Sequence, residues 1–484
     1  MRECDLAIIG AGAAGLSAAS VAAEHGLSVT VFDDNARTGG QYFRRLPAGF
    51  RRSAPTVFDK DQARAEALYR AAERPGITML TDAVVWEVPE DNVLAFARGA
   101  ESGALRAKLI VIAAGAHDRP VPFPGWTLPG VVTAGGLQNL IKGQRVIPGR
   151  RAVVAGNGPL VLLVAANLAR SGAELVEVVE AAPIHRRLWR EWPGLLASLK
   201  IARQAIDYRA AIKRSGAPFR PGWTVVEARG AEELSEVVVA PIALDGRVDR
   251  GRSRTIKADL LVTGFGLTPS IETPRAMECR LEWNALRGGW LPVRSAEFET
   301  SRAGVFAIGD GAGIGGVEMA LREGRLMGLV AAERLGTLAP AEAARKKQPL
   351  VAELARLGRF RAALERLYAP PANYLDLLTE ETIVCRCEDV TAGELRGRQG
   401  EGFASTTALK STTRTTMGRC QGRNCLRTLT TLVARTTGQP IESVPLPRGR
   451  PPARPVLIGD LIQEPLPPIK LPEDPHLPRG EKIS

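Results

Sequence analysis

Short, uninterrupted apolar runs alternate with longer amphipathic segments through the first two thirds of the chain. This is the pattern of parallel sheets covered by helices on both faces. The first run is Leu6 to Ile9, followed by an Ala-rich helix expected from about Ala13 to Glu24 and a second strand from Leu27 to Phe32. Residues 59–74 have helical spacing, Gly76 to Val88 alternate as β-structure, and a hairpin is expected over residues 93–97. Leu109 to Ala116 is again continuously apolar, and Arg119 with the run Pro120 to Pro129 marks a crossover into a second unit. That unit opens with the strand Ala152 to Ala155, continues through a helix to Arg170 and a strand from Leu175 to Val179, and closes on Asp259 to Pro269. A strand from Gly304 to Ile308 and a helix from Val317 to Leu335 follow. The expected class is α/β, with two Rossmann-like domains and a small helical C-terminal domain.

Composition narrows this only a little. A chain of 484 residues holds roughly two to four domains. Hydrophobic residues at 45% and charged residues at 24% are ordinary for a globular protein. The formal charge of +12 is dispersed and aromatics are only 5%, so no basic, aromatic-studded stripe indicates nucleic acid. An acidic protein partner or solubility accounts for the charge more simply. Arg2 before an apolar run mimics a secretory leader, but Glu3 and Asp5 spoil its basic region. The longest uncharged stretch, Ala152 to Ala169, is interrupted by Gly156, Asn157, Gly158, Pro159 and Asn167, so strand, turn and helix are expected there instead of a membrane span. The expected location is cytoplasmic, with membrane contact at most peripheral, through an electron acceptor.

Candidate chemistry lies where the strands end. Gly10-x-Gly12-x-x-Gly15 follows the first strand and opens the helix. Gly10 allows the tight turn, Gly12 admits a pyrophosphate to the backbone, Gly15 lets helix and strand pack, and free helical N–H groups face the phosphates. Asp33 ends the second strand at the spacing for a ribose hydroxyl. In the Gly39-Gly40-Gln41 loop, Gly40 permits close passage and Gln41 can bond a ring edge; a plain surface turn is the alternative. Ala114 and Gly115 supply the small strand tip that a cofactor requires. Gly309-Asp310 delivers a carboxylate to a helix N-terminus, where it can bond a sugar-alcohol chain, cap the helix, or do both.

The opening pattern returns as Gly156-Asn157-Gly158 with Glu180, which makes an internal repeat. Val161 replaces the third glycine, and a β-branched side chain there should push helix and strand apart and crowd a phosphate. A working NAD(P) site and a structural relic are both open. The expected division is a first dinucleotide-binding domain of residues 1–128 and 290–340, a second domain of 129–289, a helical linker of 341–380, a cysteine module of 381–440 and a Pro-rich extended tail of 441–484.

The cysteine module carries Cys385-x-Cys387 and Cys420-x-x-x-x-Cys425, each pair beside an expected helix N-terminus. Between Ser405 and Thr430 there is no acidic residue, whereas Lys410, Arg414, Arg419, Arg423 and Arg427 are basic. An all-thiolate [2Fe–2S] cluster has excess negative charge that such a shell would offset. Zinc is the alternative, although the one-residue gap of Cys385-x-Cys387 is tight for it. The four histidines, His25, His117, His185 and His476, are scattered, and no general-base constellation is evident; only His117 lies near an expected cofactor-side strand tip.

The glycine fingerprint with Asp33, the Ile112-to-Gly115 strand tip, the nested second unit and Val305-Phe306-Ala307-Ile308-Gly309-Asp310 resemble the two-dinucleotide-binding-domain flavoproteins, among them thioredoxin reductase. The resemblance implies that Gly10, Gly12, Ala14, Gly15, Asp33, Gly40, Gln41, Ala114, Gly115, Gly309 and Asp310 line FAD. It departs in one respect: Cys4 and Cys279 are isolated and no redox Cys-x-x-Cys is present, so disulfide reduction is unsupported. The cysteine quartet resembles the bacterioferritin-associated-ferredoxin-like [2Fe–2S] domain, with Cys385, Cys387, Cys420 and Cys425 as ligands. Together, over residues 3–437, the chain resembles the FAD/NAD(P)-binding α-type subunits of bacterial amine dehydrogenases built from several subunits. That group includes opine oxidase, hydrogen cyanide synthase and hydroxyproline/proline dehydrogenase subunits. The resemblance implies one subunit of a flavoenzyme that acts on CH–NH donors. Its partner would be a β subunit containing FAD, with a small third subunit as an open possibility. A stand-alone NAD(P)H-dependent acceptor reductase is the enzyme alternative, and a structural scaffold is the alternative from another class.

Overall fold

The computed structural model describes residues 2–47, 49, 61–99, 101–243, 245–369 and 374–459. Four parallel strands form the centre of the first sheet, in the order Ile77–Leu80, Val29–Phe32, Arg2–Ile9 and Glu101–Ile112. Val93–Arg98 and Ala83–Glu87 continue it antiparallel, and Val305–Ala307, from far along the chain, pairs parallel with Glu101–Ile112. The register sets Ile9 beside Phe32 and Ile112, and Ile112 beside Ala307. All the motif-bearing strand ends therefore open on one edge, where ligands of open α/β sheets bind. The strand from Glu101 is longer than expected because its first half serves the antiparallel hairpin and its second half the parallel core.

Helix Ala13–Glu24 is covered by helix Val317–Arg334 at backbone contact. A Cβ on Gly324 would lie 2.2 Å from the Ala14 carbonyl oxygen, and one on Gly328 would lie 2.7 Å from Val21 Cβ. Leu6, Ile8, Leu16, Val31, Phe306 and Val330 fill the core beneath.

The second sheet is wholly parallel: Phe219–Pro221, Glu174–Glu180, Arg151–Gly156, Leu260–Gly264 and Val131–Thr133. Val161 does not force helix and strand apart as expected. It is fully buried, and Gly264 and Ala134 face it with almost no side chain, a Cβ on Gly264 lying 3.2 Å from Val161 Cγ2. The missing third glycine is compensated across the sheet.

The linker is mostly one long helix, Pro340–Leu367. The cysteine module has its own small core of Val384, Leu395, Leu409, Leu429 and Leu432 around helices Ala392–Gly400, Thr406–Thr413 and Leu426–Thr437. The Pro-rich segment after it lies on the body. Thr406 Oγ1 donates to the Pro445 carbonyl (2.6 Å), Arg448 pairs with Glu278 (2.6 Å), and Ala453 N donates to the Trp86 carbonyl (2.8 Å).

A buried ion pair locks the last strand to its helix. Glu323, 4% exposed, meets Arg294 at 2.7 Å and accepts the Gly309 N–H at 2.7 Å, while Arg294 also donates to the Ala307 carbonyl. Arg294→Met leaves that carboxylate without its cation and should lower the unfolding free energy by about 3 kcal/mol, measured by denaturant titration. A loss below about 1 kcal/mol would mean that the pair is not structural.

Candidate cofactor sites

The residues expected to line FAD are brought together at the open edge of the first sheet, with one exception. Gly10 has φ +111°, and a Cβ there would lie 2.4 Å from the Ala113 carbonyl oxygen, so the tight turn presses on the neighbouring strand tip. A Cβ on Gly15 would meet the Gly10 carbonyl at 1.9 Å. Gly40 touches Gly12, and a Cβ on Gly309 would stand 3.0 Å from the Ala14 methyl. Helix Ala13–Glu24 begins at Gly12 with no side-chain cap and no acid in its first turn, which leaves its orphan N–H groups for an anionic ligand.

Asp33 is buried and already engaged. Its Oδ2 accepts the Ala11 N–H (2.6 Å), and its Oδ1 accepts both Asn35 nitrogens (2.9 Å). Burial pushes its carboxyl up. Asp33 thus braces the glycine turn, and a carboxylate's further lone pairs stay open to a ribose hydroxyl. Asp310 is not the cap of helix Val317–Arg334, which starts after Gly316 with no side-chain cap; its Oδ1 instead accepts the N–H groups of Gly315 and Gly316 (2.8 Å each) in the loop ahead of that helix. Its Oδ2 has no hydrogen bond among the described residues, so the carboxylate can brace that loop and bind at once. The exception is Gln41, which is exposed and accepts from Arg44 at 3.1 Å. Cys4 and Cys279 are buried free thiols, both pushed up by burial.

The protein itself braces the flank of the second glycine unit, while Gly158 and the uncapped N-terminus of helix Pro159–Arg170 face open space. Asn157 Nδ2 donates to the Tyr368 carbonyl (2.9 Å), and the Tyr374 hydroxyl reaches Asn157 Oδ1 at 3.4 Å. The Tyr374 ring packs against Phe265, with centroids 5.2 Å apart. Glu180 is fully buried and accepts the N–H groups of Ala182 (2.9 Å) and Gly158 (3.1 Å), so it closes its own loop. Sequence reasoning missed both tyrosines, because nothing in their local pattern points at a loop two hundred residues earlier.

The four module cysteines come together: Cys385 lies beside Cys425, Cys387 beside Cys420, and the two pairs feel each other's charge. Among the described residues no three His, Cys, Asp or Glu side chains converge on one metal-ion position. Cys385 is held down to about 6, first by the Cys425 thiol and, against burial, by the N–H groups of Thr416, Glu388 and Cys387. Such N–H groups aimed at sulfur suit a thiolate. The expected basic shell is largely drawn elsewhere. Arg414 pairs with Glu388 (2.7 Å), Arg423 with Glu272 of the body (3.0 Å), and Arg427 donates to the Gly288 carbonyl (2.8 Å). Arg275, supplied by the body, is the guanidinium that feels Cys425.

These contacts seat the cysteine loop against the end of the flavin-side strand. His117, two residues beyond Gly115, brings Nε2 within 3.2 Å of the Arg423 carbonyl oxygen, between Cys420 and Cys425 in the chain. Trp126 Nε1 donates to the Ile383 carbonyl at 2.7 Å, just before Cys385. The junction leaves a small, partly open cleft whose lining includes His117, Arg275, Trp283 and Trp290. Three of these carry buried polar atoms without a partner among the described residues: His117 Nδ1, Arg275 Nε and Trp290 Nε1. Buried polar atoms of this kind call for water or a bound group.

Comparison with known proteins matches residues 4–334 to the pyridine nucleotide-disulphide oxidoreductase model. The chain belongs to that family. Residues 379–463 match the sarcosine oxidase A3 domain model, which takes in the cysteine module and the segment strapped over the body. Among its relatives is hydrogen cyanide synthase subunit HcnB of Pseudomonas aeruginosa, 34% identical over 89% of this chain and 93% of that one. Another is one subunit of the opine oxidase of Agrobacterium tumefaciens, 32% identical over 95% of this chain and 92% of that one. L-proline dehydrogenase from P. horikoshii has a similar fold, with a TM-score of 0.67 at 21% identity over 95% of this chain and 79% of that one. The chain is thus a flavin-dependent oxidoreductase by family, one whose members bind FAD and nucleotides. The uncapped glycine turn, its bare helix N-terminus and the free Asp310 oxygen fit such a group. No described helix is long and apolar enough to cross a membrane.

The second unit gives a pH signature. Burial raises the Glu180 carboxyl from 4.5 to about 8. The folded chain keeps a proton there that the unfolded chain releases near 4.5, so the stability present below 4.5 is lost as pH rises through 8. Glu180→Gln should flatten the decline of Tm across that window. At the acid end it should cost about 1 kcal/mol, because one amide oxygen cannot replace two acceptors. An unchanged slope in thermal scans would acquit Glu180.

Proposed function

We propose that this chain is the flavin and iron–sulfur subunit of a hetero-oligomeric dehydrogenase or oxidase that oxidises a secondary amine or imino acid of the opine, hydroxyproline/proline or glycine type. It passes electrons between flavin, cluster and an acceptor, and an FAD-containing partner subunit supplies the amine-oxidising site. The observation that carries this is the seating of the cysteine loop on the flavin-side strand through His117 and Arg423. When bound, FAD supplies two-electron and one-electron chemistry and a [2Fe–2S] cluster supplies one-electron transfer.

The chain's own residues have three tasks. The Gly10–Gly15 turn and the N-terminus of helix Ala13–Glu24 hold a pyrophosphate, Asp33 and Asp310 orient the sugar hydroxyls, and Gly40, Ala114 and Gly115 give close approach. Cys385, Cys387, Cys420 and Cys425 hold the cluster. The gathering of all four thiols supports a shared centre, and the one-residue gap of Cys385-x-Cys387 favours a cluster over zinc. His117, Glu272 and Trp126 keep the module against the body, beside the strand tip at Gly115. A stand-alone NAD(P)H reductase would require the second glycine unit, and Tyr368 and Tyr374 stand against that alternative.

The purified chain should show flavin bands with an iron–sulfide shoulder. Cys420→Ser should remove the shoulder, lower bound iron and acid-labile sulfide, and leave the flavin bands in place. A shoulder that survives the substitution would overturn the cluster assignment. The flavin of the isolated chain should stay oxidised under anaerobic NADH or NADPH and bleach once amine is added together with the partner subunit; direct bleaching by nicotinamide would transfer the assignment to the reductase.

A further inference from the structure

One helix of the second domain turns much of its apolar surface outward. Ile184–Leu195 lies along the linker helix Pro340–Leu367, and the side it turns inward combines Arg187, Glu191 and Gly194 with the apolar Ile184 and Leu195. Arg187 Nη1 donates to the Ala369 carbonyl (2.6 Å), Glu191 pairs with Arg366 (2.9 Å), and Gly194 abuts Ala363. These residues and Ile184 fall within one third of the helical circumference. The opposite side carries Leu188, Trp189, Trp192 and, one residue past the helix, Leu196, which are 50%, 71%, 55% and 55% exposed, with His185 among them. An amphipathic surface helix normally turns its apolar stripe to the core. Here much of it points to solvent, and two exposed indoles side by side are an unfavourable surface unless something covers them.

Charge selects the occupant. From Ile184 to Arg214 there are eight Lys and Arg against two acidic residues, an excess equal to half the formal +12 of the whole chain. Both acids are already paired, Glu191 with Arg366 and Asp207 with Arg170. Arg186 and Arg190 border the apolar stripe, and neither has an ion pair among the described residues. The Arg190 guanidinium lies 5.9 Å from the Trp189 ring. A second copy of this chain would set these arginines against their own kind. A stable protein partner needs about 800 Å² on each side, more than four side chains on one short helix offer. Indoles and leucines flanked by arginines match a lipid headgroup layer, where Trp is enriched and each nearby cation gains about 1 kcal/mol from anionic lipid.

We propose that this face is a membrane-surface contact. Leu188, Trp189, Trp192 and Leu196 enter the headgroup layer of an anionic bilayer, and Arg186 and Arg190 meet lipid phosphates. The chain would lie on the bilayer without crossing it.

The test uses the full chain and vesicles of phosphatidylglycerol in phosphatidylcholine, with phosphatidylcholine alone as control. Co-sedimentation should occur with the anionic vesicles, weaken with salt, and be absent from the neutral ones. Brominated lipid should quench part of the Trp emission. Trp189→Ser with Trp192→Ser should lower vesicle-bound protein at least about tenfold and abolish the quenching. Arg186→Glu with Arg190→Glu should lower binding similarly while both indoles stay in place, and it decides the matter alone if the Trp variant misfolds by circular dichroism. Absence of binding to anionic vesicles, or equal binding by the variants, overturns the proposal. So does a Trp variant that keeps its vesicle binding and instead fails to assemble with the partner subunit, which would make the face a protein interface.

Discussion

The structure depends on one close approach, helix Val317–Arg334 lying on helix Ala13–Glu24 with Gly324 and Gly328 against Ala14 and Val21. Any side chain at those glycines would separate the helices by the width of a methyl group or more. The contact brings Gly309 and Asp310 to the glycine turn that opens the chain, and the buried Arg294–Glu323 pair holds Gly309 there through its own N–H. A cofactor site formed from both ends of a long stretch of chain is thereby held by packing and one ion pair, with little reliance on loops. Its donors are mostly backbone, which suits a ligand rich in phosphate and hydroxyl oxygens.

In the second domain the flank of an equivalent cradle is given over to the fold. Tyr368 and Tyr374 satisfy Asn157, and Glu180 turns back on its own loop. The nucleotide-binding shape persists because the parallel sheet and its helix need it, and Val161 is tolerated because Gly264 and Ala134 yield the space. The strand tip at Gly115 instead leads to His117, which meets the cysteine module at the Arg423 carbonyl. The arginines of the module reflect this. Arg423 and Arg427 reach the body and hold the loop in place, so their charge serves docking before it serves the thiols.

The Pro-rich segment and the outward-facing helix show two ways in which a surface is completed. Residues from Pro445 to Arg454 cover the joint between module and body by backbone hydrogen bonds and exposed ion pairs, a strap that needs no periodic pattern. The Ile184–Leu195 helix keeps only Ile184 and Leu195 on the core and turns its remaining large apolar residues outward, because a linker helix with accepting carbonyls and Arg366 claims Arg187 and Glu191.

Much of this was legible in the order of residues. The strand ends, both glycine units, Asp33, the Gly309-Asp310 segment and the paired cysteines could be read directly. Periodicity, glycine spacing and residue type are local properties, and a parallel sheet converts them into position by bringing every strand end to one edge. Other features could not be read. That Gln41 turns to Arg44, that Asp33 braces Ala11, that Arg423 serves Glu272 and His117, and that two tyrosines brace the second cradle are outcomes of competition among partners far apart in sequence. Short-range spacing was enough to specify the two-unit α/β plan, the FAD-type fingerprint and the thiol quartet. How the second cradle is braced and where the module docks were settled by packing in three dimensions. Burial there lets a polar group choose whichever partner removes it from water at least cost, and neighbours along the chain do not set that choice.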